Sequence, residues 1–459
     1  MRVRDLVAVC GLLLVACGSL PSGFGDGGTD AGDFDSTTPP KDSGNPFGDV
    51  GAGEAAPPCQ GLQCQVVSCG GNAHTTISGT VYDPAGAEPL YDVLVYIPTF
   101  ANDPLPPITH GMSCDTCAAK IDNAMATALT DAKGKFTIQD APVGQNIPIV
   151  VQVGKWRRKL TIATVAQCVD NAYPNPNTPA QRMRLPAKQS EGDMPLIALS
   201  TGCDPMESLF QKIGIDPSEF TAASGTGMVH VYGGNEAVFT VPNETSAYTF
   251  WDSLSEMEKY DIIINECECS PNPRGQGYQN LETYLNGGGR FFGSHYHINF
   301  FTGNTTSGTD AVPADMKAAV KWAPQFAGSC GSGPYAIDTT FPKGKAMADW
   351  LENLYPSIPY GTFTPTSSCI VPDMLGTVTG ISQQWIYDTS SQAPAYVSFN
   401  TPTAKQPTDR CGRAVAADLH VGSGSGPLQQ QEAALEFMFF DLAACVQDDN
   451  TTPQPPPVN

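Results

Sequence analysis

The sequence predicts a multidomain chain in which an all-β sandwich is followed by a doubly wound α/β domain. Three observations predict it. Residues 77–165 alternate apolar and polar positions at period two, the signature of half-buried strands. From residue 194 onward, short apolar runs alternate with amphipathic helical stretches, the pattern of crossover-connected parallel strands. A polar connector over 169–193, NAYPNPNTPAQRMRLPAKQSEGD at its heart, separates the two, and 459 residues exceed the usual size of one domain.

Composition narrows the class of function. Hydrophobic residues make up 41%, enough for a packed core, whereas only 15% are charged, against about 25% in typical soluble domains. With 46 Gly and 40 Pro this is loop-rich material of an exported kind. A formal charge of -22 excludes nucleic acid as a partner, because neutralising phosphates requires clustered Lys and Arg, and it also excludes electrostatic docking on anionic lipid.

The first element is a targeting segment. Arg2 and Arg4 precede a short apolar run from Leu6 to Ala16, too short for a spanning helix of about 20 residues. Leu14, Val15, Ala16 and Cys17 resemble the lipobox of bacterial lipoproteins, and the resemblance implies cleavage before Cys17, acylation of its thiol and a partner in the membrane through that lipid anchor. Gly18, where inner-membrane retention would place Asp, implies the outer membrane. The alternative is a plain cleaved signal with a chance cysteine. Residues 1–17 are therefore assigned to signal and lipobox. Residues 18–58, as in DGGTDAGDFDSTTPPKDSG, hold almost nothing apolar and read as a disordered tether with a mean reach of roughly 35 Å. Cys59, Cys64 and Cys69 mark a stapled neck over 59–76.

Cysteine usage fits export. Of fifteen cysteines, Cys10 and Cys17 belong to the signal and anchor, leaving thirteen, most of which are expected in disulfides. An odd number requires at least one thiol that is free, metal-bound or paired to another molecule.

Residues 77–168 form the sandwich. ISGTVYD, VLVYIPT, KFTIQD, IPIVVQV and RKLTIAT are its strands, and Asp131, Lys133 and Gly134 suit a tight turn. GTVYDPAG, DVLVYIP and LTDAKGKFTIQDAPVG together resemble the carboxypeptidase regulatory-like, or transthyretin-like, domain over roughly 90 residues, which implies a spacer or binding module without chemistry of its own. An insertion from Thr99 to Thr127 holds His110, Cys114 and Cys117. The C-x-x-C spacing of MSCDTC admits zinc ligation, thiol exchange or disulfides, to each other or to distant cysteines. Trp156, Arg157 and Arg158 make a basic aromatic patch, either a contact for glycan or an acidic partner or a solvated strand edge.

Residues 194–447 form the α/β domain, expected to be flavodoxin-like. MPLIALSTG is a strand, Asp204 an N-cap, Pro205 the first helical position and ESLFQKIGI a helix. MVHVYGG is a strand, TSAYTFWDSLSEMEKY a helix, DIIINEC a buried strand, GYQNLETYLNGGG a helix stopped by glycines and RFFGSHYH a strand. QWIYDT, AYVSFNT and GRAVAADLHVG follow as strands, with a last helix over 428–446 whose Phe437, Met438, Phe439 and Phe440 read as core. Residues 448–459 are expected to be a disordered tail.

In open α/β sheets ligands bind outside the carboxyl ends of the strands. Those ends carry Glu266, Cys267, Glu268 and Cys269, then Ser294, His295, Tyr296 and His297, then Asp418 and His420, so that three of only six histidines fall at two ends. NLETYLNGGGRFFGSHYH and GRAVAADLHVG resemble the class I glutamine amidotransferase-like superfamily, most nearly its trehalose-utilization-type branch, over about residues 194–446 with an insertion near 300–380. The resemblance implies a site at the sheet edge with His295 and His420 on the matching positions. It does not carry over amidotransferase activity, because Gly293, Ser294 and His295 stand where that family has a cysteine between glycines.

Three readings of the site stay open. A divalent metal would take His295 or His297 with His420 and Glu266 or Asp418, and on a regular strand His295 and His297 share one face. A hydrolytic site would use Ser294 as nucleophile and a histidine as base, though the second glycine of a G-x-S-x-G elbow is missing. In the third, the groups only bond one another and the exposed strand ends. Cys267 and Cys269 read either as a redox or metal pair or as halves of separate disulfides, with Cys330 or Cys369 as candidate partners; Cys114, Cys117, Cys411 and Cys445 are further disulfide candidates. The function expected from all this is that of a surface-exposed binding or scaffold lipoprotein, for carbohydrate or a protein partner. The alternative is an envelope hydrolase or metal-dependent enzyme using the histidine cluster.

Overall fold

The structure, a computed structural model, describes residues 58–458 apart from 271, 273, 303–310, 323–333, 366–374, 379, 419 and 422–425. Cys17, Cys330 and Cys369, with the signal and tether, lie outside the described residues.

The first half contains seven strands: β1 (Thr76–Thr80), β2 (Leu94–Pro98), β3 (Ala124–Leu129), β4 (Lys135–Ile138), β5 (Gly144–Val153), β6 (Trp156–Val165) and β7 (Asp170–Ala172). They form a three-stranded sheet in the order β4-β1-β7 and a four-stranded antiparallel sheet in the order β3-β2-β5-β6. Inward residues such as Ile77, Phe136 and Ile138 from the first sheet share one core with Val95, Ile97, Ile149 and Val151 from the second, as period-two alternation requires. The expected insertion supplies β3 to the four-stranded sheet.

The second half continues with β8 (Ile197–Ser200), α1 (Met206–Lys212), β9 (Phe220–Ala222), β10 (Val229–Gly233), β11 (Thr245–Ser246), α2 (Ala247–Trp251), α3 (Leu254–Met257), β12 (Ile262–Asn265), α4 (Gly277–Asn286) and β13 (Arg290–Ser294). Then come α5 (Asn299–Thr302), α6 (Ala314–Ala319), β14 (Val320–Trp322), β15 (Tyr335–Ile337), α7 (Pro342–Leu354), β16 (Thr362–Phe363), β17 (Leu375–Val378), β18 (Gln383–Asp388), β19 (Pro394–Thr401), β20 (Gly412–Ala417) and α8 (Gln430–Ala443). The large sheet runs β11-β10-β8-β12-β13-β20-β19-β18-β15-β16, with β9 beside β10. Its pairs from β11 through β20 are parallel, and those from β20 through β16 are antiparallel. QWIYDT and AYVSFNT are thus a hairpin returning along β20, which apolar runs alone do not distinguish from parallel strands. The helix expected over TSAYTFWDSLSEMEKY is two short helices broken at Asp252 and Ser253, with Trp251 and Met257 both buried.

Residues 58–459 make one compact unit. Every residue of α8 is buried, because the helix lies between the large sheet and the sandwich. Trp156 packs its indole on Phe439 and Phe440, each with ring centroids 5.5 Å away, and donates Nε1–H to Pro186 O at 3.1 Å. This corrects the reading of Trp156 as part of a contact patch: it is fully buried, and the Arg157 guanidinium is paired with Asp193 at 2.8 Å. Disulfides Cys114–Cys411 and Cys117–Cys445 tie the first half to β20 and the end of α8, so MSCDTC pairs outward rather than with itself. Cys59–Cys64 closes the neck and Cys69–Cys168 fastens it to the sandwich.

The segment expected to be a disordered tail is held down. Asp449 is buried, 2.9 Å from Arg413 Nη2, and accepts the Ser398 hydroxyl at 2.8 Å, while Pro456 O accepts from Thr127 Oγ1 at 3.2 Å. A buried arginine on β20 that requires a counter-charge outweighs the polar composition of the tail.

Candidate functional site

Topology decides where the site lies. The chain leaves β8 for β10 on one side and returns to β12 on the other, so the strand order reverses between β8 and β12, where an open parallel sheet leaves a crevice at its carboxyl edge. Register brings the ends level: Ser200 faces Asn265, Asn265 faces Gly293, and Ser294 faces Ala417. The residues just past these ends therefore gather in one place. Main-chain bonds lock them, with Cys203 N–H donating to Cys267 O at 2.7 Å and Glu266 N–H to Ser200 O at 3.0 Å. Gly202 permits this closeness, since a Cβ there would collide with the Cys267 carbonyl.

His295 is the centre of the cluster. β13 ends at Ser294, and His295–Ile298 is a 3-10 turn entered with His295 at φ 46°, a left-handed backbone that costs a non-glycine residue on the order of 1–3 kcal/mol. The expectation that His295 and His297 share a strand face is corrected accordingly: they sit on a turn, and each meets a different part of β12's end. His295 Nδ1 lies 3.1 Å from Cys267 Sγ. Its ring stands edge-on to His420 with centroids 4.4 Å apart, and its Nε2 is buried with no hydrogen-bond partner among the described residues. Burial and the neighbouring His420 depress its pKa to about 3, so the ring is neutral.

His297 points the other way. Its Nδ1 meets Asn265 Nδ2, its Nε2 lies 3.5 Å from Glu268 Oε2, and burial with Arg274 nearby holds its pKa well below the ordinary histidine value. Glu268 is fully buried and neutralised by Arg274 Nη2 at 2.5 Å; it also accepts from Asn235 N–H and Asn272 Nδ2. The Arg274 guanidinium in turn lies 4.1 Å over the Tyr248 ring. Glu266 accepts Gly202 N–H at 2.7 Å, and burial beside Glu207 raises its pKa well above that of an ordinary carboxyl.

Asp204 is the residue that sequence reasoning placed wrongly. Instead of capping α1, whose cap position is Pro205, its carboxylate accepts Ser294 Oγ–H at 2.7 Å and Val421 N–H at 2.9 Å, and lies 3.4 Å from His420 Nδ1. It joins the ends of β8, β13 and β20. An acid just past a strand is the available signal, and it was masked by the resemblance of Asp-Pro to a helix start. Ser294 is occupied as its donor and is fully buried, which leaves it without the exposed nucleophile geometry of a hydrolytic serine. Asp418 is buried at the end of β20.

The sulfur chemistry also differs from expectation. Cys269 pairs with Cys203, a cysteine of the β8 end, because the main-chain bond from Cys203 to Cys267 O sets those ends side by side. Cys267 is not in a disulfide; it is a free, fully buried thiol pushed up to about 12, chiefly by burial. Among the described residues the one group of three metal-ligating atoms within 4.8 Å of each other is Cys203, Cys267 and Cys269, two of which are bonded together. The histidines and carboxylates proposed as a metal set do not form such a group there. His74, His110 and His230 are engaged elsewhere, with Asp140, Asp261 and Tyr260.

The edge is closed beneath and open at its rim. His420 and Tyr296 are partly exposed, and Asn235 and Cys269 are exposed. A cavity of about 390 Å³ lies at the opposite, amino end of the strands, against Pro195, Ile262 and Arg290. Its surface is mostly apolar, and its Lys155 is already satisfied by Asp261 and Gly111 O.

No protein-family model and no curated protein matches the chain. Among solved structures, two type II cohesin–X-dockerin complexes from Acetivibrio cellulolyticus align at 14% identity and a TM-score of 0.16, covering 33% and 34% of this chain and 78% and 79% of theirs. A 9R-lipoxygenase from Cyanothece aligns at 13% identity and a TM-score of 0.11, covering 25% of this chain and 20% of its own. At TM-scores this low the likenesses bear on neither fold nor function.

Proposed function

We propose that this chain is an exported envelope protein, lipid-anchored through Cys17 at the outer membrane, whose α/β half binds a neutral, hydroxyl-rich ligand such as a saccharide at the carboxyl edge of its parallel sheet. One observation carries the ligand reading. Groups from five strand ends converge there, and the His295 imidazole keeps a buried nitrogen without a hydrogen-bond partner among the described residues, next to His420 at the rim. A buried polar atom left unmet costs about 1–3 kcal/mol, so its persistence favours a bound partner.

The chemistry of the cluster selects the ligand class. His295 is neutral, burial disfavours the charged forms of His297, Glu266 and Cys267, and Glu268 is paired with Arg274. Such a surface offers directed hydrogen bonds and, with Asp204 and Asp418 in it, no excess of positive charge, which suits hydroxyls better than phosphates or carboxylates. The reading as an amidotransferase-like domain fits the strand order from β10 to β20, and the sandwich serves as its spacer.

A second reading, cysteine hydrolase, is favoured by the 3.1 Å approach of Cys267 to His295. Against it, burial leaves both partners neutral at rest, and Cys267 is inaccessible. Calorimetric titration of the full chain with neutral disaccharides, and separately with zinc chloride, decides. Saccharide binding weakened at least tenfold in His295→Ala and His420→Ala supports the proposal. Binding untouched by both substitutions overturns it. Stoichiometric zinc lost in the same variants transfers the site to the metal-dependent reading.

A further inference from the structure

Three sulfur atoms meet at this edge, and only two can be bonded at once. Cys203 and Cys269 form the bridge, and the Cys267 thiol lies within 4.8 Å of both. His295 Nδ1 is 3.1 Å from that thiol, and Cys269 N–H donates to the same sulfur at 3.3 Å. A thiol, a proton acceptor, a main-chain donor and a disulfide within one cluster are the parts of an exchange reaction.

We propose that Cys267 and the Cys203–Cys269 bridge form an internal thiol–disulfide switch, in which the bridge migrates to Cys203–Cys267 and the free thiol moves out to Cys269. As Cys267 Sγ attacks Cys203 Sγ, its proton is handed on by way of His295 Nδ1 to the departing sulfur, so that no charged imidazole has to persist in the buried site. The Cys203–Cys269 bond breaks, its electron pair leaves on Cys269 Sγ, and that sulfur takes up a proton. One disulfide and one thiol stand on each side of the reaction, so no oxidant or reductant is consumed.

Geometry and solvation give the exchange its direction. Attack on Cys269 would bridge two cysteines separated by Glu268 alone, a cramped ring, whereas attack on Cys203 joins two strand ends already held by the Cys203 N–H bond to Cys267 O. Cys269 is exposed and Cys267 is fully buried, so the departing thiolate is released into water. In the starting form the only free thiol among the described residues is shielded; in the exchanged form an accessible thiol faces exogenous disulfides and electrophiles. This inference is independent of the saccharide reading, since it requires no ligand.

The test is cysteine-resolved labelling of the purified full chain. Native protein is exposed to N-ethylmaleimide over time, then denatured, labelled with a second alkylating agent without reduction and mapped by peptide mass spectrometry. The expected result is progressive native labelling at Cys269 with a Cys203–Cys267 bridge appearing in parallel. Cys267→Ser abolishes labelling at Cys269 while keeping Cys203–Cys269, and His295→Asn slows labelling at least tenfold with unchanged circular dichroism. The proposal is overturned if Cys267 is labelled only after denaturation while Cys203–Cys269 remains the sole bridge among the three. Labelling at Cys269 that persists in Cys267→Ser overturns it as well, as does zinc retained on the three sulfurs of the isolated protein.

Discussion

Asp204 and His420 stand 3.4 Å apart, carboxylate to Nδ1, although they are 216 positions apart in sequence, and the same carboxylate holds Ser294 and the Val421 N–H. One acidic side chain thus fastens three strand ends and orients the imidazole at the rim. Replacing it by Ala leaves two buried donors unmet, each at about 1–3 kcal/mol. Asp204→Asn keeps one acceptor oxygen and is expected to lose less. Urea unfolding midpoints should rank wild type, Asn, then Ala; equal midpoints for wild type and Ala would refute the fastening role.

Arg413 offers a second test, on stability alone. It is fully buried between Asp441 at 2.6 Å and Asp449 at 2.9 Å, and Lys343 shares Asp441 at 2.7 Å. Arg413→Ala leaves the buried Asp441 and Asp449 to share Lys343, one negative charge uncompensated, and is expected to cost about 3–5 kcal/mol. Adding Asp449→Asn to that variant should recover part of the loss, because it removes one uncompensated charge. A double variant less stable than the single one would contradict this.

Acid should weaken the fold through the histidines. His295, at about 3, and His297, well below the ordinary value, stay neutral in the folded chain, while the unfolded chain protonates both near pH 6.5. Their folded pKa values are depressed, so the stability they permit is complete above pH 6.5 and is lost as pH falls below it. Both rings add to that loss. Between pH 6.5 and 5, the stability of His297→Asn should fall less steeply than that of wild type; parallel slopes would exclude His297 as a source.

Asp83 predicts the opposite sign. It is buried, its Oδ1 accepts N–H groups of Ala87 and Glu88, its Oδ2 has no hydrogen-bond partner among the described residues, and burial raises its pKa to about 8. The contribution is present below pH 3.8 and is lost as pH rises through about 8. Asp83→Asn keeps the accepting oxygen and cannot ionise, so it should gain on wild type at pH 9 and not at pH 4. Thermal melts at the two values measure it, and an equal gain at both would count against ionisation as the cause.

Legible in the sequence were five of the seven sandwich strands, β3 and β7 reading as insertion and connector, the parallel strands at β8, β10, β12, β13 and β20, and the strand-end location of His295, His297, His420 and Glu266. Period-two alternation and buried apolar runs are local signals, and the carboxyl-edge rule needs only strand direction. Only the tertiary structure decided the rest. Asp204 looked like a helix cap until β13 and β20 were beside it, Cys269 found Cys203 rather than an insertion cysteine, and β18 and β19 turned antiparallel. The tail at Asp449 became core because Arg413 was there to meet it. In each case the deciding energy is that of a buried charge, a hydrogen bond or a sulfur pair across tens to hundreds of residues, and such partners come together only when the sheet has closed its order.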